Sequence, residues 1–96
     1  MTKYEIMFII RPDVEEDVRK KTVAALEKTL TEGNSTITLS KELGQKEFAY
    51  EIKKFKSGYY YLYNIETSSS DATKEFKRVA GINENVVRDL VLKIED

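Results

Sequence analysis

Ninety-six residues, 41% hydrophobic and 34% charged, describe one globular domain over 1–96 whose core is adequate for its size but not generous. Sixteen basic and 17 acidic side chains leave a net charge of −1, which argues against nucleic-acid binding by bulk attraction and confines any RNA contact to a local patch. The absence of histidine and cysteine removes thiolate nucleophiles, imidazole bases, the usual zinc sites and disulfides. Neither a metal nor a cofactor is expected, and packing alone must hold the fold.

No apolar run reaches the roughly 18 residues that a membrane-spanning helix needs. The opening "MTKYEIMFIIRPD" lacks a basic leader and a small-residue cleavage site. A cytoplasmic protein with no membrane partner is the expectation, and "NST" at 34–36 is then an incidental glycosylation sequon.

Residues 3–10, "KYEIMFII", alternate with period two. Tyr4, Ile6, Phe8 and Ile10 fall on one face and Lys3, Glu5, Met7 and Ile9 on the other, as in a first strand. Pro12 stops the strand, Asp13 is placed to cap a helix, and Glu16 three residues later completes a near capping box. A helix over 14–32 is expected to turn Val18, Thr22, Ala25, Leu26, Thr29 and Leu30 inward and to close at Gly33 and Asn34.

Period two returns through Ile37 and Leu39 and resumes after Gly44 with Phe48, Tyr50 and Ile52. The change of parity predicts one long strand bent by a bulge at Gly44. "KFKSG" at 54–58 reads as the turn into "GYYYLYNIE". A second helix capped near Ser70 should turn Ala72, Phe76, Val79 and Ala80 inward and end at Gly81. "ENVVRDLVLKIE" is the last strand, with Leu90, Leu92 and Ile94 on one face and Val87, Asp89, Val91 and Lys93 on the other. Both faces are partly apolar, so periodicity leaves its orientation open.

The order βαββαβ predicts an α+β, ferredoxin-like sandwich: a four-stranded antiparallel sheet with two helices on one face and the other face open. What lies on the open face is the functional question. Tyr59 and Tyr61 fall where an RNA-recognition domain carries its base-stacking rings, so a single-stranded RNA-binding module is the alternative reading. The pattern departs from that motif at Ser57, Tyr60 and Asn64. Parity weighs further against it, because Asn64 and Glu66 share a face, and burying both would cost on the order of a few kcal/mol. Tyr59, Tyr61, Tyr63 and Ile65 should therefore face the helices. Tyr60, Leu62, Met7 and Ile9 are left as a small apolar patch on the open face, a candidate protein-docking site.

Basic residues gather between 41 and 56, where Lys41, Lys46, Lys53, Lys54 and Lys56 outnumber Glu42, Glu47 and Glu51. Small acyl-phosphate phosphatases share this topology but need a glycine-rich anion loop after the first strand. "IIRPDVEE" supplies Arg11 without glycines and with three acids. No enzyme and no small-molecule substrate are expected.

The segments "KYEIMFIIRPDV", "ELGQKEFAYEIKKFKSGYYYLYNIE" and "INENVVRDLVLKIE" together resemble the family of the sixth protein of the bacterial small ribosomal subunit, over essentially the whole chain. The most specific parts are "LG", "AYEIKK", "GYY" and "ENVVR". The resemblance implies a ribosomal, structural role: pairing with the eighteenth protein of the same subunit, and binding of the pair to the central domain of small-subunit ribosomal RNA. Carried over by position, it implies RNA contacts at Lys46, Lys53, Lys54 and Arg88, with Lys3 and Lys56 as weaker candidates. Glu47 stands where the family often has a second basic residue. Met7, Ile9, Phe48, Tyr50, Tyr60 and Leu62 are the expected protein-partner surface, formed by the open-face patch and the edge from Lys46 to Tyr50.

Overall fold

A computed structural model describes residues 2–31 and 35–95. The elements run β1 (Thr2–Ile10), α1 (Glu16–Leu30), β2 (Thr36–Ile52), β3 (Phe55–Thr67), α2 (Asp71–Ile82) and β4 (Val86–Glu95). The strands form one antiparallel sheet in the order β2-β3-β1-β4. β3 and β1 lie at its centre because α1 carries the chain from β1 past β3 to the edge strand β2 and α2 carries it from β3 past β1 to the edge strand β4; both helices pack on one face, as expected for the ferredoxin-like sandwich.

The core between sheet and helices is built by the predicted parity. Ile6, Phe8 and Ile10 of β1 are fully buried. Opposite them on β3, Tyr61, Tyr63 and Ile65 are 5%, 2% and 0% exposed, with Tyr59 partly buried against the same cluster. The Phe8 ring stacks between Tyr61 and Tyr63, with centroids 5.2 and 5.7 Å away, and tilts against Phe76 of α2. Such ring pairs add about 0.5–1.5 kcal/mol each beyond the area they bury. β4 resolves the open alternative: Val91 packs against the core, and Leu90, Leu92 and Ile94 lie exposed.

Four local expectations are corrected. Asp13 does not cap α1. Arg11 takes its carboxylate in a two-pronged bond of 2.6 and 2.8 Å, and the helix starts at Glu16 with Glu15 as N-cap and no side-chain cap. Glu16 and Asp17 in the first turn still complement the helix dipole. The expected close of this helix, Gly33 and Asn34, lies outside the described residues.

Val18 and Ala25 are exposed rather than inward. Thr22, Leu26, Thr29 and Leu30 are buried and Val23 packs beside them. At about 100° per residue, Val18 and Ala25 fall roughly 80–100° from Leu26, off the flank of that stripe.

α2 runs through Gly81 to Ile82. The β2–β3 turn is not "KFKSG" but the two residues Lys53 and Lys54, since Ile52 pairs with Phe55 and both lysines have positive φ, 50° and 71°. Phe55 to Gly58 are already strand. The long bent strand expected across Gly44 is present: β2 shifts register between Glu42 and Gly44, where Gly44 has φ 82°.

Candidate protein and RNA interface at the hairpin end of the sheet

β3 pairs with β1 only from Tyr59 onward, so Phe55–Gly58 and the facing part of β2 project beyond the sheet as a free hairpin. Its registry breaks again between Glu47 and Ile52. Phe48 keeps the parity of Gly44 and Lys46, which pair with Tyr60 and Gly58, and so lies on the open face, where its ring meets that of Tyr60 at 6.1 Å between centroids.

Phe48 and Ile9 are both admitted by the lack of a side chain at Gly58. A Cβ there would stand 2.4 Å from Ile9 Cγ2, 3.0 Å from the Ile10 carbonyl oxygen and 3.1 Å from Phe48 Cζ. Ile9 is consequently only 4% exposed. As a member of an exposed apolar patch it is corrected: it underpins that patch and is not part of its surface. Met7, Tyr60 and Leu62 are half-buried on the open face, and Tyr50 stands out at 85% exposure.

The basic candidates separate by position. Lys53 and Lys54 form the hairpin tip, Lys46 lies opposite Gly58 on β2, and Lys56 is exposed on β3. Arg88 comes from β4, opposite Ile9, and shares one groove with Phe48, Tyr50, Ile52 and Tyr60. Five of the six basic candidates therefore gather at one end of the sheet, around an apolar floor. Lys3 does not join them. It lies six residues from Ile9 along β1, roughly 20 Å away, and forms an ion pair with Glu66 at 3.5 Å.

The rings that a stacking mode would need are not available for it. Tyr61 is core, and Tyr59 faces the helices with the Arg19 guanidinium 3.9 Å from its ring centroid. Burial pushes the Tyr61 phenol above its ordinary value, with the Arg19 hydrogen bond opposing. The open-face residue Asn64 holds a buried Oδ1 with no hydrogen-bond partner.

Sequence reasoning missed two supports of the site. Arg11 lies 5.0 Å over the Phe55 ring, a cation–π contact that ties the hairpin to the loop after β1. The Asp13 hydrogen bonds that hold it raise its pKa and lower that of Asp13. Nothing in local spacing pairs residues 11 and 55. Leu90, which closes a second groove with Met7, Ile52, Tyr60 and Arg88, carried a signal in the alternation of β4.

Among the described residues, no group of three His, Cys, Asp or Glu could hold a metal ion, and no helix is long and apolar enough to cross a membrane.

The family described as Ribosomal protein S6 matches residues 3–93. Among solved structures, the crystal structure of 30S ribosomal protein S6 from Thermotoga maritima superposes with a TM-score of 0.91. It is 29% identical in sequence, and the match covers 97% of this chain and 87% of that one.

Proposed function

Because the chain belongs to the ribosomal protein S6 family, whose members are non-enzymatic structural proteins of the bacterial cytoplasmic ribosome, we propose that it pairs with the eighteenth protein of the small subunit and that the pair binds the central domain of small-subunit ribosomal RNA. The observation that carries this reading is the hairpin end of the sheet. There Arg88 lines a groove with Phe48, Ile52, Tyr60 and the acids Glu47 and Glu51, and Lys46, Lys53, Lys54 and Lys56 lie on the hairpin that supplies one side of it.

Such a surface suits two partners at once. Half-buried apolar side chains lose little on meeting another protein, and lysines on extended stems reach phosphates beside it. With a net charge of −1, the isolated chain has little long-range attraction for RNA, so the partner's contribution comes first. Lys3, at the other end of the sheet and paired with Glu66, is not needed in this arrangement.

The test is a gel shift of central-domain RNA with the chain alone and then with the eighteenth protein, repeated across salt concentrations. The pair should bind where the chain alone does not. Replacing Lys54 and Arg88 together by Ala should weaken the ternary complex and flatten its dependence on log salt by up to about two units, near 0.9 per phosphate contact. An unchanged slope would remove both residues from the RNA surface. Tight binding of the chain alone to any single-stranded oligonucleotide would overturn the order of assembly.

A further inference from the structure

The candidate surface is assembled from two pieces. Lys53, Lys54 and Lys56 ride on the free hairpin, which runs past the last β1 pair at Tyr59, and Arg88 comes from β4 on the other side of β1. Cations on a hairpin and on a separate strand hold one partner tightly only if their spacing is set beforehand, because ordering a loose hairpin on binding costs affinity. Arg11 stands between the two pieces.

Its backbone belongs to the β4 side. The Arg11 amide donates to the Asn85 carbonyl at 2.9 Å, one residue before β4 begins, and the Asn85 side-chain amide donates in turn to Thr22 Oγ1 of α1 at 3.3 Å. Its side chain belongs to the hairpin. Phe55 directly follows Lys54 and has the parity of Tyr59, so its ring lies on the helix side, where Arg11 Cζ stands 5.0 Å from the centroid. On the open side Ile9 and Phe48 close over Gly58, so the hairpin base is held from both sides.

A guanidinium suits this position and an ammonium does not. Its edge makes the two-pronged bond to Asp13 at 2.6 and 2.8 Å, which fixes its plane, and its face is left for the ring. Because Asp13 already matches its charge, Arg11 is poorly suited to be a phosphate contact itself. We propose that Arg11 is a positioning residue: with Asp13 it clamps Phe55, and so holds the lysines of the hairpin at a set distance from Arg88 for the RNA that spans them. This role rests on the ribosomal reading of the surface.

Arg11→Lys keeps the charge and loses the fork. Together with the eighteenth protein it should bind central-domain RNA roughly fivefold more weakly, as the competent hairpin population falls by the worth of an exposed cation–π contact. The slope against log salt should not change, since the phosphates contacted stay the same. Phe55→Leu should lose as much, the double variant no more than either single one, and Phe55→Tyr should bind as the parent does. Amide hydrogen exchange in Arg11→Lys should quicken across residues 55–58 and stay slow at Tyr61 and Tyr63. Arg19→Gln removes the neighbouring cation–π contact at Tyr59, a residue already paired with Ile10, and should leave RNA binding unchanged.

A slope flattened by about 0.9 in Arg11→Ala and retained in Arg11→Lys would make Arg11 a phosphate contact, which overturns the proposal. So does hairpin exchange that does not quicken, or an equal loss of binding in Arg19→Gln, the mark of a general loss of stability. Failure of the parent pair to bind the RNA overturns the ribosomal reading and this role with it. A parent pair that binds, with Arg11→Lys binding equally well, overturns the clamp alone.

Discussion

Tyr63 joins the core to the helix surface through a single atom. Its ring is 2% exposed and stacks on Phe8, and its hydroxyl donates to Glu27 Oε1 on α1 at 2.5 Å. Burial first, and the hydrogen bond to the Glu27 carboxylate second, push its phenol well above the ordinary value of 10.0. A phenol raised by folding keeps its proton in the native state after the unfolded chain has released it. The unfolded state then binds fewer protons, and stability falls as pH rises from about 10. Chemical denaturation between pH 8 and about 11 should show this decline, and Tyr63→Phe should flatten it while lowering stability near neutral pH by about 1 kcal/mol for the lost bond. An equal decline in the variant would place the titration at Tyr61 instead, whose phenol burial also raises. The ring's inward orientation was legible in the sequence, because Asn64 and Glu66 fix the parity of the strand. Its partner was not, since Glu27 stands 36 residues away on a helix where a glutamate ordinarily means a solvated face. Ile9 was misread for the converse reason: alternation assigns a face, and only Gly58 across the sheet shows that this part of the face is covered.

At the scale of elements, hydrophobic period gave order and kind correctly, and local chemistry misplaced their ends. Asp13 carries every sign of an N-cap, yet Arg11 two residues earlier competes for the same carboxylate and wins with a charge-assisted fork. The hairpin tip shows the same limit. A two-residue turn with φ positive at both positions is where Asn-Gly is expected, and Lys53 and Lys54 give no such signal. The first glycine downstream, Gly58, therefore attracted the turn assignment, although its role is to let Ile9 and Phe48 approach. Two non-glycine residues in left-handed conformation cost of order 1 kcal/mol or more each. Lys53→Asn with Lys54→Gly should accordingly raise the urea midpoint at unchanged m, a gain of about 1 kcal/mol. A midpoint that stays or falls would mean that contacts of the lysine stems offset the strain.

Across the whole molecule, one sheet serves opposite ends. Its helix face takes nearly all the aromatic burial, which leaves the open face with single half-buried side chains and a hairpin that extends past the core. Net charge near zero and basic residues gathered at that hairpin are compatible: Glu47 and Glu51 share the hairpin with Lys46, Lys53, Lys54 and Lys56, so a local excess of two positive charges survives there in a weakly acidic chain. Leu62 sits on this open face, opposite Met7 of β1 and Lys41 of β2, and half-exposed enough that a carboxylate in its place keeps its water. Leu62→Glu should therefore melt cooperatively, with a circular-dichroism spectrum like the parent's, because the buried set of Ile6, Phe8, Tyr61 and Tyr63 is on the other side of the backbone. Under the proposed pairing, titration against the eighteenth protein by calorimetry should show binding at least tenfold weaker, about 1.4 kcal/mol, since a partner docking on the patch would have to desolvate a charge. Binding as tight as the parent's, with the fold intact, would confine the protein interface to the hairpin edge around Phe48 and Tyr50 and leave the open face unused.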